Sequence, residues 1–117
     1  MRKTYRYKDL EFPVADDEDV QLTVEFVSDG NMVQTVINTP GDNDPEIEGE
    51  GTRVLGKGMD LRDTQTICFS DVANPVPEED HVRINFKIND KLIVEHSNEK
   101  SEEERPYIVL AIKFPNK

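Results

Sequence analysis

Short runs in which apolar and polar side chains alternate set the strongest limit on how this chain folds. The runs VQLTVEF at residues 20–26 and VRINFKI at residues 82–88 each place every second side chain on one face. A period of two is typical of a strand that buries one face. No segment shows a sustained apolar repeat of 3.6 residues, so the pattern predicts an all-β protein without long helices.

Turn-forming residues separate further strand-like segments. We predict additional strands at residues 4–12, 32–38, 52–57, 64–70, 91–96 and 107–114. The last of these is apolar at nearly every position, which is typical of a strand that is covered on both faces and central in its sheet. About eight short strands in 117 residues predict a single domain, residues 1–117, with the fold of an antiparallel two-sheet β-sandwich. An open barrel is the second choice.

The first predicted hairpin joins residues 20–26 to residues 32–38. The dipeptide Asp29-Gly30 between them suits a type I′ turn, in which both central residues need a positive φ. A two-residue turn there would set Phe26 opposite Val33 and would continue one apolar face across both strands. The pattern therefore predicts that these two strands are paired neighbours.

The second predicted hairpin turns at Asn89-Asp90. A two-residue loop at this turn would pair Phe86 with Ile93. A three-residue loop would instead pair Phe86 with Val94. The sequence is compatible with both registers, and it predicts only that these strands are neighbours.

The charge of the chain limits its partners. The chain carries 25 acidic and 14 basic residues, for a formal net charge of −11. Such a chain is repelled by nucleic acid and by anionic membranes. No apolar run approaches the ~20 residues that cross a bilayer, so we expect no membrane insertion. The single cysteine cannot form an internal disulfide, and we expect a cytoplasmic protein.

The acidic residues are concentrated in four predicted connections. Residues 13–19, 39–51, 72–80 and 97–105 hold sixteen of the 25 acidic residues and two of the 14 basic ones. If successive strands reverse direction, these first, third, fifth and seventh connections all emerge at one end of the sandwich. The pattern predicts one acidic pole, provided that the weak strand at 52–57 exists. Acidic loops also serve solubility alone, but like charges gathered at one end repel each other.

This predicted pole suggests a function. We expect a non-catalytic interaction module whose acidic pole binds a basic protein partner, as an inhibitor, an immunity-type protein or an assembly subunit would. The candidate binding residues are the acidic side chains of these connections. They are Asp16, Asp17, Asp42, Asp44, Glu46, Glu48, Glu78, Glu79, Asp80, Glu102 and Glu103.

A divalent-cation site is the alternative. Calcium takes six to eight oxygen ligands, and carboxylates from several loops could supply them. The candidate ligands are Asp17, Asp42, Asp44 and Asp80. The segment 42–53 is not an EF-hand, because Ile47 stands where that loop needs glycine. We expect no cofactor unless calcium binds in this way.

An enzyme is the third and least favoured class. Residues 51–58, GTRVLGKG, approach a phosphate-binding loop, but Gly58 stands where the magnesium-binding hydroxyl belongs. We interpret these glycines as a bulge or bend in an edge strand. His81 and His96 lie beside acidic residues, and we expect both at the surface with slightly raised pKa values. Cys68 is expected to be a buried, unreactive thiol.

Self-association is a further expectation. Several aromatic and aliphatic side chains at the two ends of the chain could share one exposed sheet face. We therefore predict that a homodimer could form through a face that contains Tyr5, Tyr7, Phe12, Val109 and Ala111.

Overall fold

A computed structural model describes residues 2–40, 44–62 and 65–117. Within these residues the chain forms nine strands and one four-residue helix. The strands are β1 (Thr4–Glu11), β2 (Asp19–Phe26), β3 (Met32–Asn38), β4 (Glu46–Glu48), β5 (Gly51–Lys57), β6 (Thr66–Ala73), β7 (His81–Ile88), β8 (Lys91–Glu99) and β9 (Tyr107–Lys113), and the helix α1 (Gly58–Leu61) follows β5. The all-β prediction is confirmed, and β4 is the one strand that was not predicted.

The strands form two sheets. Sheet 1 has five strands in the order β1-β9-β6-β3-β4, and sheet 2 has four in the order β5-β2-β7-β8. This arrangement confirms the two-sheet sandwich. All neighbouring strands are antiparallel except β1 and β9, which run parallel, so the prediction of a wholly antiparallel protein is wrong for this pair. The strand at 107–114 is central as predicted, since β9 lies between β1 and β6.

The core fills the space between the sheets. Each strand turns alternate side chains inward, as the period of two requires. The largest fully buried side chains include Phe86 and Phe114, one from each layer of the molecule. Burying apolar area of this kind is the main source of folding free energy.

The predicted pairing of β2 with β3 is wrong. The two strands lie in different sheets, where Phe26 pairs with Ile84 of β7 and Val33 pairs with Val72 of β6. Residues 27–31 therefore cross from one sheet to the other. Alternation specifies which face of a strand is buried, and both arrangements bury the same faces, so the pattern did not distinguish them.

The predicted hairpin of β7 and β8 is confirmed. Asn89 and Asp90 are the two turn residues and have φ values of 48° and 67°, as a type I′ turn requires. Farther from the turn, the register shifts by a bulge between Lys87, which pairs with Leu92, and Phe86, which pairs with Val94. The turn thus has two residues, and the register beyond the bulge is the one that a three-residue loop would give.

The glycines of residues 51–58 have the structural role that we predicted. β5 is an edge strand of sheet 2, and its register against β2 shifts where Val20 pairs with Gly56 and Gln21 with Val54. Gly56 has a φ of 148° at this bulge. The helix that follows has only four residues.

Strand direction divides the connections between two ends. Consecutive strands reverse direction, and because nine is an odd number, β1 and β9 run the same way. We call the end that holds the β1–β2, β3–β4, β5–β6 and β7–β8 connections the upper end, and the opposite one the lower end. Gly58 N donates to Glu18 O at the upper end (2.9 Å), and Lys100 N donates to Asp80 O at the lower end (2.8 Å).

Candidate interaction surfaces

The structure separates the acidic residues that we predicted at one pole. Asp16, Asp17 and Asp44 lie at the upper end, Glu46 and Glu48 lie on β4, and Glu78, Glu79, Asp80, Glu102 and Glu103 lie at the lower end. Asp42 lies outside the described residues. The prediction of a single acidic pole is wrong because β4 adds one reversal within residues 39–51. That reversal sends the last two acidic connections to the lower end.

At the upper end, basic side chains neutralise part of the acidic charge. The Arg62 guanidinium donates to Asp16 Oδ1 (2.5 Å) and to the Phe114 carbonyl (3.0 Å). Lys57 Nζ lies 2.9 Å from Asp19 Oδ1. These contacts tie the β1–β2 connection to its neighbours, so Asp16 has a structural partner.

At the lower end, two candidate carboxylates hold the fold together. Glu102 accepts hydrogen bonds from Lys3 Nζ (2.7 Å) and from the Tyr5 hydroxyl (2.8 Å). The bond from Lys3 is the largest cause of the lowered pKa of Glu102. Glu103 accepts from the main-chain N–H groups of Lys3 and Arg105, and these bonds lower its pKa. Both acids therefore fasten β1 to the β8–β9 connection.

Three other acids at the lower end are differently placed. The carboxylates of Glu78, Glu79 and Asp80 make no hydrogen bond or ion pair with any other residue that the structure describes. Their connection is nevertheless anchored, since Lys100 Nζ donates to the Val76 carbonyl (2.6 Å). At the lower end, these three are the predicted binding residues whose carboxylates stay available on an anchored connection.

The predicted metal ligands do not come together. Asp17 and Asp44 lie at the upper end and Asp80 at the lower end, separated by the length of an eight-residue strand, about 26 Å. Across residues 2–40, 44–62 and 65–117, no group of three or more His, Cys, Asp or Glu side chains is placed to hold a metal ion. The prediction that Asp80 shares a metal site with Asp17 and Asp44 is therefore wrong, while calcium binding itself stays a prediction.

His96 is a buried residue that sequence reasoning missed. We expected it at the surface with a raised pKa, but its exposed fraction is 0% and burial lowers its pKa. The hydrogen bond to Asn98 and the charge of Glu102 act in the opposite direction and only partly offset burial. The missed signal is the period of two in β8, which places Val94, His96 and Asn98 on the same inward face.

The contacts of His96 show which ring nitrogen carries its proton. Asn98 Nδ2 donates to two carbonyl oxygens, so its Oδ1 is the acceptor for His96 Nε2–H at 2.7 Å. His96 Nδ1 then accepts from the Tyr7 hydroxyl, also at 2.7 Å. The Tyr5 ring lies edge-on, with its centroid 4.8 Å from the imidazole centroid. A neutral histidine is fully satisfied here, and it joins β1 of sheet 1 to β8 of sheet 2.

The neutral state of His96 makes stability depend on pH. The unfolded chain takes up a proton at this side chain near its ordinary pKa of 6.5, whereas the folded chain resists it. The stabilisation is complete above that pH and is lost as the pH falls towards the lower folded-state pKa. We expect urea unfolding to show a free energy that declines from about pH 7 to about pH 5.

The variant His96→Gln removes the titrating group, so its unfolding free energy should decline less over the same range. His81 and the surface carboxylates are present in both proteins, and their effects cancel in the difference. Parallel declines for the two proteins would contradict the assignment.

Cys68 and His81 offer no catalytic pair. Cys68 is buried, as predicted, and burial raises the pKa of its thiol to about 12. His81 lies at the lower-end start of β7, whereas both ring nitrogens of His96 are already hydrogen-bonded inside the sandwich. Cys68 and His96 therefore have structural roles inside the sandwich, and His81 lies at its lower end.

The outer face of sheet 1 is the second surface of interest. On β6, Thr66, Cys68, Ser70 and Val72 point into the core, while the larger Ile67 and Phe69, both half-buried, point outward together with Asp71 and Ala73. Strands with one solvated face usually show the reverse order, with large apolar residues inside. This inversion leaves apolar side chains on a face that no other described element of the chain covers.

Strand registers align these residues into one row across all five strands. Arg6 pairs with Val109, Val109 with Phe69, Phe69 with Val36 and Val36 with Glu46. The row reads basic, apolar, apolar, apolar, acidic, with Phe69 at its centre. We call this set the cross-strand row.

Further apolar side chains extend this face. Tyr107 and Ala111 flank Val109 on β9, and Met32 on β3 is 63% exposed. A shallow depression of about 330 Å³ on the same face is lined by Gln34, Val36, Phe69, Asp71 and Tyr107. The surface therefore combines apolar side chains with a shallow, open depression.

Sheet 2 provides the contrast. The outward positions of β2 and β7 are polar or charged, including Gln21, Thr23 and Arg83. Lys87 Nζ there pairs with Glu25 Oε2 at 3.0 Å. A polar outer face of this kind is the ordinary state of an antiparallel sheet in water. The edge strands β5 and β8 do expose Val54 (52%) and Leu92 (49%) on this face, so sheet 2 is polar on its central strands, whereas sheet 1 carries apolar side chains on its central strands.

The face that we predicted for self-association is partly wrong. Tyr5 and Tyr7 pair with Ile108 and Leu110, so they point toward the interior, and Phe12 packs against the core. The remaining two predicted residues, Val109 and Ala111, do lie on the outer face of sheet 1. The sequence thus indicated the correct strand, β9, but combined residues from opposite faces.

No protein-family model, curated protein or solved structure matches this chain. Within the described residues, no helix is long and apolar enough to cross a membrane.

Proposed function

We propose that this protein is a non-catalytic interaction module that docks another protein chain through the outer face of sheet 1. The single observation that carries the proposal is the inverted β6, which turns the large Ile67 and Phe69 outward and the smaller Thr66, Cys68, Ser70 and Val72 inward. Apolar patches of this kind on a small domain mark interaction sites. The proposal places the module in the cytoplasm, which suits a chain whose one cysteine is a buried free thiol.

The cost of the inverted strand supports the proposal. Facing Phe69 inward would bury more apolar area, and burial of such a side chain stabilises a fold by roughly 1.5–3 kcal/mol. The core instead receives Ser70, whose hydroxyl pairs with the Thr35 hydroxyl at 2.8 Å. Within the chain the Phe69 ring is half-buried beside Tyr107, with 6.3 Å between the ring centroids, and its remaining surface is open to a partner.

A basic protein partner at the lower end is the second candidate function. Its specific support is the connection before β7, where Glu78, Glu79 and Asp80 make no ion pair within the described residues. Carboxylates on an anchored loop attract a basic surface over several ångströms and speed encounter. This candidate retains the basic partner expected from the sequence and confines it to one acidic connection.

Capture from host lysate distinguishes the two candidates. We expect Phe69→Lys to abolish recovery of a partner at both low and high salt, because a charge would enter the apolar contact. The matched control Gln21→Lys adds the same charge to the outer face of sheet 2 and should leave recovery unchanged. Retention of the captured protein by Phe69→Lys would contradict docking of that protein through sheet 1.

The second candidate has its own variant. Replacing Glu78, Glu79 and Asp80 by the corresponding amides should abolish capture only if a basic partner binds there. Binding of that kind should also weaken steeply as salt rises, because exposed charges are screened within about 8 Å at physiological ionic strength. Asp44→Asn at the upper end is the control.

A further inference from the structure

We propose that a second copy of this chain covers the outer face of sheet 1. The two copies are related by a two-fold axis that lies between the two facing sheets and runs parallel to β6. The inference rests on the proposed docking through this face and adds the identity of the partner. It follows from the symmetry of the cross-strand row about Phe69, from the charges at the two ends of that row and from the apolar character of β9.

The charge pattern of the row is complementary to itself. Arg6 on β1 and Glu46 on β4 are both exposed, lie at the two edges of the sheet and stand at opposite ends of the row. Neither side chain makes a hydrogen bond or ion pair with another side chain of the described residues. The single chain therefore presents two unpaired, opposite charges at equal distances, two strands away from Phe69 on either side.

A rotation of 180° about an axis along β6 uses both charges. It sets Phe69 of one copy against Phe69 of the other, and it places Val109 over Val36. At the edges, Arg6 of each copy comes to face Glu46 of its partner. A two-fold interface uses the same patch on both subunits, and this row satisfies that requirement with three apolar and two ionic matches.

The strand pattern of β9 supports coverage by a second sheet. Its residues from Tyr107 to Ile112 are apolar at every position, as in strands that are buried on both faces. Within one chain, sheet 2 covers only the side with Ile108 and Leu110; on the other side Val109 is 9% exposed, and Tyr107 and Ala111 are half-buried. Two sheets packed face to face at about 10 Å would cover the other side as well.

The size of the face predicts a weak dimer. Four strands of seven or eight residues and the three-residue β4, spaced about 4.8 Å apart, give a face of roughly 500 Å² before corrugation. A standard specific interface buries about 800 Å² on each partner. We therefore expect a dissociation constant on the order of micromolar.

Net charge gives the pair a distinctive response to salt. Each copy carries −11, so two copies repel each other at low ionic strength. Salt screens this repulsion and also weakens the two exposed Arg6–Glu46 contacts, each of which contributes little, while the apolar contact is insensitive to screening. Self-association should therefore strengthen from about 50 mM to about 500 mM salt, opposite to the response of a basic partner at the lower end.

Sedimentation equilibrium of the full chain from about 1 µM to about 1 mM tests the inference. The wild-type mass should rise from monomer to dimer, and more so at high salt. Phe69→Lys should weaken association by at least about 100-fold, because it places two like charges at the centre of the interface. Gln21→Lys should have no effect, and circular dichroism melting shows whether each variant is folded.

Charge exchange tests the symmetry with exposed residues that do not threaten folding. Arg6→Glu and Glu46→Arg should each weaken self-association about tenfold or more, since two ionic matches become two repulsive contacts. The double variant Arg6→Glu/Glu46→Arg should restore it. An equimolar mixture of the two single variants should form the mixed pair. Arg83→Glu and Glu95→Arg on sheet 2 are the matched controls.

Three results would overturn the inference. A monomer at every concentration and salt excludes the second copy, and a dimer that tolerates Phe69→Lys uses another surface. Failure of the double variant to restore association excludes the two-fold axis along β6. If the chain is monomeric but loses a captured lysate protein on Phe69→Lys, docking through sheet 1 stands and only the identity of the partner is wrong.

Discussion

Phe86→Ala is expected to lower the free energy of unfolding by about 3–5 kcal/mol. Phe86 has an exposed fraction of 0% and is among the largest fully buried side chains of the core. It sits on β7 between β2 and β8, so both neighbouring strands limit how far the site can collapse around a smaller residue. The loss therefore includes transfer of the ring and the cavity that remains. Urea unfolding at neutral pH measures it.

The control is the same substitution at Phe69. That ring is half-buried on the outer face of sheet 1, and its removal leaves no enclosed cavity, so we expect a loss of only about 1 kcal/mol. The comparison separates a residue that the fold needs from one that the docking surface needs. Equal losses at the two positions would mean that Phe69 is a core residue, which would remove the main support for docking through its face.

Gly58→Ala is the second substitution with a large expected effect. A Cβ at this position would lie 2.1 Å from the Ala15 carbonyl oxygen and 2.8 Å from Val14 Cγ2. The carbonyl belongs to the backbone of the β1–β2 connection, which cannot move aside as a side-chain tip could. Overpacking of this kind costs about 1–3 kcal/mol, and thermal or urea unfolding measures it.

Gly51→Ala, seven residues earlier on the edge strand, is the matched control. Its Cβ would meet only Ile47 Cγ2 at 3.5 Å, an ordinary van der Waals distance. We expect a change close to zero or a slight gain, because alanine restricts the unfolded chain more than glycine does. If Gly58→Ala were as mild as Gly51→Ala, the close approach of the upper-end connection to α1 would be wrong.

The sequence predicted the strands because each one alternates or is wholly apolar. β2, β3, β7 and β9 have the predicted positions, and the Asn89-Asp90 hairpin is confirmed by two positive φ values. Local turn chemistry specified that hairpin directly. The same reasoning was wrong at Asp29-Gly30, where the dipeptide forms part of a crossing between sheets, because long-range packing of β2 on β5 and β7 decided the pairing.

β4 was missed because its three residues sit in an acidic segment. Only Ile47 of this strand is apolar and buried, and a single apolar residue between Glu46 and Glu48 has no detectable period. That omission had a large consequence for the candidate site, since the number of reversals decides the end at which every later connection emerges. Because the prediction omitted this three-residue strand, it placed two acidic loops at the wrong end of the molecule.

The outer face of sheet 1 was predicted only in part. The apolar run of β9 indicated a strand covered on both sides, and Val109 and Ala111 were identified as surface candidates. The inward or outward direction of Ile67 and Phe69 could not be read from β6, because large residues normally point inward. The cross-strand row depends on four separate strand registers, and pattern analysis of one strand at a time does not give them.

The parallel pairing of β1 with β9 has a mechanical consequence. The chain enters β1 at the lower end and leaves β9 at the upper end of a molecule whose longest dimension is 45 Å. Tension applied to the two termini would therefore pull these neighbouring strands along their own axes in opposite directions. Their shared hydrogen bonds would bear that load together in shear, rather than one after another as in an unzipping hairpin, and such a domain resists extension.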